Sequence, residues 1–299
     1  MESGESMFIK SFRLKDLITI CGVALLGLAL GIGVLLLAAH AAGGAGGGAS
    51  RAESAAESAA ESSAESAVES SAESPSDSSS EAPAEGSLPA EGQKTVYLTY
   101  DDGPSAMTAE ILDVLKEKEV PATFFVIGAT TDRGKALYQR ILDEGHAIGL
   151  HTYSHRYQQI YESADAFLED YQKLSDHLAD VAGVEPDICR FPGGSVNNIA
   201  DPAILKEIKA ELSDEGIVWF DWNALAKDDG ASATPAEEMF ENILESAGDS
   251  EELVILMHDD ALRSTAAECT AMLIDHYREL GYTFGKLTAE TPCVQFPDR

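Results

Sequence analysis

The chain has 299 residues, room for one large domain or two small ones, and 52 acidic against 20 basic residues leave a net charge of −32. That sign argues against nucleic acid as a partner, since a polyanion is repelled by a surface of its own charge. Four cysteines, one of them (Cys21) inside an apolar run, are too few for a disulfide-built scaffold, and spacing alone does not decide whether Cys269 and Cys293 pair.

Residues 1–16 are polar and carry Lys10, Arg13 and Lys15, which reads as a cytoplasmic amino-terminal segment. Residues 17–39 then run for 23 positions without a charge. As a helix they would reach ~34 Å, enough for a hydrocarbon core of ~30 Å. Basic residues precede this run and none follows until Arg51, so the amino end is expected inside and the remainder exported. The rival reading is a cleaved signal peptide, with Ala39-His40-Ala41 as a small-x-small site. The run exceeds the ~7–15 apolar residues of a signal peptide, which favours an uncleaved transmembrane anchor.

Residues 40–92 are low in complexity. Glu53, Glu57, Glu61, Glu65, Glu69 and Glu73 recur every fourth position in an Ala/Ser background. On a helix they would form one stripe of like charges, and Pro75, Pro83 and Pro89 weaken helix further. With nothing to bury, the segment is expected to be a disordered, self-repelling linker. Its ends would lie on the order of 40 Å apart as a coil, and up to ~170 Å apart if extended. Such a tether suits a catalytic domain held out from a membrane within a cell wall.

Residues 93–299 read as one α/β domain. Apolar strand candidates lie at 96–100, 123–127, 147–150, 188–191, 217–220, 254–257 and 282–284, seven in all. Helical patterns separate most of them, among them 132–145, a stretch from the candidate cap Ser163 to Gly183, and 264–281. Alternation of this kind implies a parallel sheet, either closed as a barrel or open and doubly wound. In a barrel, chemistry gathers at the carboxyl ends of the strands.

Those ends are where the ionisable residues sit. The first strand runs into Thr99-Tyr100-Asp101-Asp102-Gly103-Pro104-Ser105, two adjacent carboxylates before a Gly-Pro turn. Side chains alternate along a strand, so Asp101 and Asp102 point apart and can take different roles. Alone, the stretch is also what a solvated Asp-Asp-Gly turn looks like. The third strand is followed by His151-Thr152-Tyr153-Ser154-His155, whose histidines at a spacing of four would share one face of a helical turn and can share a metal. Further on come Arg190-Phe191-Pro192-Gly193-Gly194-Ser195, then Asp221-Trp222, then Leu256, His258 and Asp259. Each is ordinary alone; four strands all ending in such groups are not.

Taken together, TYDDGPS, HTYSH, RFPGG, the Asp221-Trp222 pair and LMHD resemble, in order, the five motifs of the polysaccharide deacetylases of the NodB homology type (carbohydrate esterase family 4). The likeness covers about residues 95–285 and implies a distorted (β/α) barrel with about seven parallel strands. It implies that Asp102, His151 and His155 hold a divalent metal, usually Zn²⁺ or Co²⁺, that Asp101 is the general base and that His258 is the general acid. Leu256 and Trp222 would wall an acetyl-methyl pocket, Arg190 and Asp221 would orient and tune the base and the acid, and the Gly193 N–H would help bind an oxyanion. Three departures stand out: Gly193 replaces a common Tyr, Val218 an upstream Asp, and Arg156 a common Pro. None removes a proposed ligand or proton-transfer group.

The function expected from this resemblance is removal of N-acetyl groups from a cell-wall glycan, peptidoglycan N-acetylglucosamine, by a membrane-tethered monomer facing the wall. An O-acetyl xylan esterase and a chitin-oligosaccharide deacetylase are the alternatives among enzymes. A sugar-binding module is the alternative outside them, but it would need neither paired carboxylates nor an acid histidine.

Overall fold

The computed structural model describes residues 92–260 and 265–298. The expected anchor at 17–39 and nearly all of the 40–92 linker lie outside the described residues. Among the described residues no helix is long and apolar enough to cross a membrane.

Eight strands are present: β1 Thr95–Asp101, β2 Thr123–Val126, β3 Ala147–Leu150, β4 Ile188–Cys189, β5 Val218–Trp219, β6 Ala224–Leu225, β7 Glu252–His258 and β8 Thr283–Gly285. Seven helices accompany them: α1 Ala106–Lys118, α2 Asp132–Asp143, α3 Tyr157–Ile160, α4 Ala164–Ala182, α5 Pro202–Asp214, α6 Ala236–Ala247 and α7 Ala266–Glu279. All strand pairs are parallel, in the order β5-β4-β3-β2-β1-β7-β6. The eighth, β8, pairs with the start of β1, at Thr95–Tyr97, while β2 takes Thr99–Asp101. The sheet is thus a curled α/β barrel in which no pairing joins β5 to β6 among the described residues. The strand missing from the sequence reading is β6. Two residues long and only four positions after β5, it has no periodicity to detect.

Every residue of β1 is buried, as expected of a central strand covered on both faces. Its faces separate two cores. Val96, Leu98 and Tyr100 pack outward under the helices with Leu253, Ile255 and Met257 of β7. Tyr97 packs inward with Phe125, Ile188, Phe220, Val254 and Leu287. By the two-residue period, Thr99 and Asp101 share the inward face with Tyr97, and Leu256 and His258 share it with Val254. The parallel register sets Asp101 beside His258 and Thr99 beside Leu256.

The helices begin where short polar side chains satisfy their free N–H groups. Ser105 and Thr108 form a reciprocal capping box at α1, Ser163 caps α4 by accepting from Ala166, and Asp201 caps α5 ahead of Pro202. Gly183 closes α4 in the left-handed conformation, at φ 68°. The three cysteines of the domain are free, with Cys269 buried and Cys293 exposed, so these two do not pair.

Candidate active site

At the carboxyl ends of β1, β3 and β7 the sheet opens into a cleft of about 190 Å³. Its chemistry is built from the last residues of the strands and the loops that follow.

Asp101 ends β1 pointing into the barrel. Arg190, fully buried just after β4, holds it: Nη1 donates to Asp101 Oδ1 at 2.9 Å and to Thr99 Oγ1 at 2.7 Å. The rest of the guanidinium donates to the carbonyls of Phe220 (3.0 Å) and Asp221 (3.1 Å) and lies over the Phe125 ring. A buried cation is tolerated only with such complete pairing. Burial raises the Asp101 carboxyl, against the lowering by Arg190 and His258, which suits a group that must accept a proton.

Asp102 turns away from its neighbour. Its backbone is left-handed, φ 74°, which swings Oδ1 toward His155 Nε2 (3.2 Å) and His151 Nε2 (3.6 Å). His151 Nδ1 donates to the carbonyl of Arg190 at 2.8 Å, so its neutral ring presents a bare lone pair at Nε2. Burial and the neighbouring His155 push this imidazole down to about 3, keeping it neutral. The two rings stack with centroids 5.1 Å apart.

The histidines do not sit on a helical turn, contrary to the sequence expectation. His151 follows β3 directly, and Thr152 (φ 67°) and His155 (φ 51°) fold the loop back through left-handed conformations. Lys227, also at the cleft, shares this conformation at φ 53°. Such backbone strain in bulky residues concentrates at functional sites.

Asp102 Oδ1, His151 Nε2 and His155 Nε2 lie within 4.8 Å of one another. Buried Asp102 Oδ1 and His155 Nε2 make no hydrogen bond. Three acceptor atoms facing one point without a donor are satisfied by a cation, so the residues present fit a metal. This is the one such group among the described residues.

Across from it, His258 ends β7. Asp228 grips it twice, accepting from Nδ1 at 2.7 Å and from the backbone N–H at 2.9 Å. Burial opposes the charged imidazole, but the hydrogen bond and charge of Asp228, with Asp101 and Asp102 beyond, raise it to about 9. His258 is therefore a protonated donor near neutral pH. Sequence reasoning missed Asp228, which stands in a Lys-Asp-Asp-Gly run indistinguishable from a surface turn.

Asp221 does not reach the base or the acid with its carboxylate. It accepts from Ser195 N–H (2.8 Å), Ser195 Oγ (2.5 Å) and Phe296 N–H (2.7 Å), and only its carbonyl meets Arg190. It anchors the Gly193-Gly194-Ser195 bend instead. Gly193, at φ 78°, lines the cleft, and Trp222, Leu225 and Leu256 form its apolar side. Leu225, opposite Leu256 in the β6–β7 ladder, also went unseen in the sequence.

Comparison with known proteins agrees with this geometry. The polysaccharide deacetylase family model matches residues 89–210. A Bacillus subtilis protein named as a polysaccharide deacetylase, YheN, is 37% identical over 200 residues, 66% of this chain and 68% of that one. The chain belongs to the polysaccharide deacetylase family. It is accordingly a carbohydrate deacetylase, a hydrolase. A peptidoglycan-N-acetylglucosamine deacetylase of Bacillus cereus is 31% identical over 196 residues, 64% of this chain and 68% of its own length. Among solved structures, the catalytic domain of a peptidoglycan N-acetylglucosamine deacetylase from Eubacterium rectale aligns with TM-score 0.66 and 30% identity, covering 70% of this chain and 96% of that one. A Bacillus cereus polysaccharide deacetylase aligns with TM-score 0.61 and 28% identity, over 68% and 97%.

Proposed function

We propose that this chain hydrolyses the N-acetyl groups of N-acetylglucosamine in peptidoglycan, releasing acetate and a free amine, with Zn²⁺ or Co²⁺ held by Asp102, His151 and His155. The observation that carries the reading is the division of the Asp pair: Asp101 is held by Arg190 through Oδ1, with Oδ2 3.7 Å from His151, whereas Asp102 Oδ1 lies near both histidines and has no cationic partner among the described residues, with His258 across the same cleft. The name of the Bacillus cereus relative supports the choice of substrate.

Held by Asp102, His151 and His155, a divalent metal would supply Lewis acidity to the attacking water and the acyl group. Asp101, fixed by Arg190, takes the proton from the attacking water. The N–H of Gly193, a cleft residue, would donate to the oxyanion that develops on the acetamide carbonyl. An amine leaves poorly unless protonated, and His258, held in its charged form by Asp228, gives it the proton. Trp222, Leu225 and Leu256 receive the methyl group. The charge-free run at 17–39 would anchor the protein in the cell membrane, and the acidic linker would set the domain within the wall.

Acetate release from purified peptidoglycan, chitin oligomers and acetylated xylan, before and after chelation, tests this. Peptidoglycan should be the best substrate, chelation should abolish turnover, and Zn²⁺ or Co²⁺ should restore it. Asp102→Asn should lose bound metal together with activity. Asp101→Asn should retain metal while kcat falls by roughly 10²–10⁴. Full activity of metal-free protein would sink the mechanism, and preference for xylan or chitin would reassign the substrate.

A further inference from the structure

The segment after β8 is not part of the sheet, yet it returns to the wall of the cleft. Asp221 N–H donates to the Val294 carbonyl at 2.8 Å, Gln295 Nε2 to the Trp219 carbonyl at 3.0 Å, and Phe296 N–H to Asp221 Oδ2 at 2.7 Å. Asp221 is fully buried, so the two bonds it makes fix the segment from a side where solvent competes little, while the Gln295 bond lies at the surface.

They deliver one side chain to one place. The Phe296 ring meets Trp222 edge to face, centroids 5.0 Å apart at 79°. The pair closes over Gly194, where an added Cβ would stand 3.0 Å from Phe296 and 3.1 Å from Trp222. The Arg190 guanidinium lies 5.8 Å from the Trp222 ring centre. Trp222 lines the cleft while Phe296 does not. The Phe296 ring therefore reaches the lining of the cleft through Trp222.

We infer that Phe296 is a positioning residue that sets acyl-chain specificity: by holding Trp222 in place it fixes the depth of the apolar pocket at an acetyl group and excludes longer acyl chains. This rests on the reading that Trp222, Leu225 and Leu256 receive the acyl methyl. Trp222 also packs on the inner core and faces Arg190, but Phe296 is its edge-to-face ring neighbour, and a packed indole that loses this neighbour gains room to turn. The bond to be cleaved and the proton-transfer groups are untouched by that movement. Discrimination should change, and the chemistry should not.

The test compares kcat/KM of the full-length, metal-loaded protein on glucosamine oligomers carrying N-acetyl, N-propionyl or N-butyryl groups. One methylene against a rigid apolar wall is worth roughly 10–200-fold. Phe296→Ala should narrow the acetyl-over-propionyl ratio by roughly tenfold, mainly through KM for the longer acyl groups. Phe296→Tyr, which keeps the ring, should retain the ratio. Loss of fold alone would lower all three substrates alike. If Phe296→Ala does not fold, Phe296→Leu carries the same comparison, since it keeps apolar volume without the ring. A second readout is independent of turnover. In a Trp219→Phe background Trp222 is the sole tryptophan, and Phe296→Ala should increase its quenching by acrylamide. Unchanged quenching and an unchanged ratio would overturn the inference while leaving the deacetylase reading intact. Increased quenching with an unchanged ratio would show that Trp222 does not bound the acyl group, overturning both the inference and that part of the reading beneath it.

Discussion

At the scale of single residues, the site works by giving chemically similar groups different partners. Asp101 and Asp102 are neighbours in sequence, but one ends a regular strand and the other turns left-handed, so Asp101 alone is gripped by a guanidinium and Asp102 alone reaches His155, while both lie near His151. His151 and His258 diverge in the same way. A carbonyl on Nδ1 leaves His151 a neutral ligand, whereas a carboxylate on Nδ1 makes His258 a cation. This last contrast predicts a pH effect. His258 serves as an acid only while protonated, so kcat/KM should fall as pH rises through the His258 pKa, raised to about 9 in the structure. Asp228→Asn keeps the shape but removes the charge that favours the protonated ring. Its pKa must then drop, and the alkaline limb should move to lower pH by roughly 1–3 units. The acidic limb and the bound metal should be unaffected. An alkaline limb that stays in place would mean that Asp228 does not tune the acid.

At the scale of elements, the Asp-Asp turn is braced by β7 through Asp259. Its backbone N–H donates to the Asp101 carbonyl at 2.7 Å, and its carboxylate accepts from Ser105 Oγ (2.8 Å) and Thr108 Oγ1 (2.6 Å) at the start of α1. Gly103 is required because a Cβ there would overlap that carboxylate. Gly103→Ala should therefore push Asp259 off its two hydroxyl partners and destabilise the fold by ~1–3 kcal/mol, the usual cost of overpacking. For a domain of this size each kcal/mol lowers Tm by about 2–4 °C. A thermal melt of the variant checks this, and an unchanged Tm would show that the turn tolerates the shift. Elements like these were legible in the sequence where they were long or capped, as with α2, α4 and the fully buried β1. The two-residue strands β4 and β5 lay inside longer apolar runs and were legible too, whereas β6 has no such run around it, and neither period 2 nor period 3.6 can be counted over two residues. The same limit hid part of the site. The motif residues Asp102, His151, His155 and His258 stand at or just after strand ends and announce themselves, whereas Asp228 and Leu225 join the cleft, and Phe296 its Trp222 wall, only through tertiary folding of unremarkable stretches.

At the scale of the whole molecule, the last prediction concerns where this domain works. Soluble glycan fragments can diffuse to an enzyme, but a wall polymer cannot, so the enzyme must be held within reach of it. The charge-free run at 17–39 would span ~34 Å as a helix, against a hydrocarbon core of ~30 Å. Lys10, Arg13 and Lys15 precede it, and the next basic residue is Arg51, an asymmetry that would keep the amino end of a membrane-spanning segment in the cytoplasm. The evenly spaced glutamates of the segment to residue 92 would repel one another if it served as a linker. Fractionated cells should therefore yield the protein in the membrane pellet with its original amino end. High salt should not release it, because burial of an apolar span is insensitive to screening, unlike a surface charge contact. Protease added to spheroplasts should cut within the linker and free an active domain beginning before Thr95, the first residue of β1. Recovery of a mature chain starting near Ala42 in the medium would instead identify residues 17–39 as a cleaved signal and the enzyme as secreted.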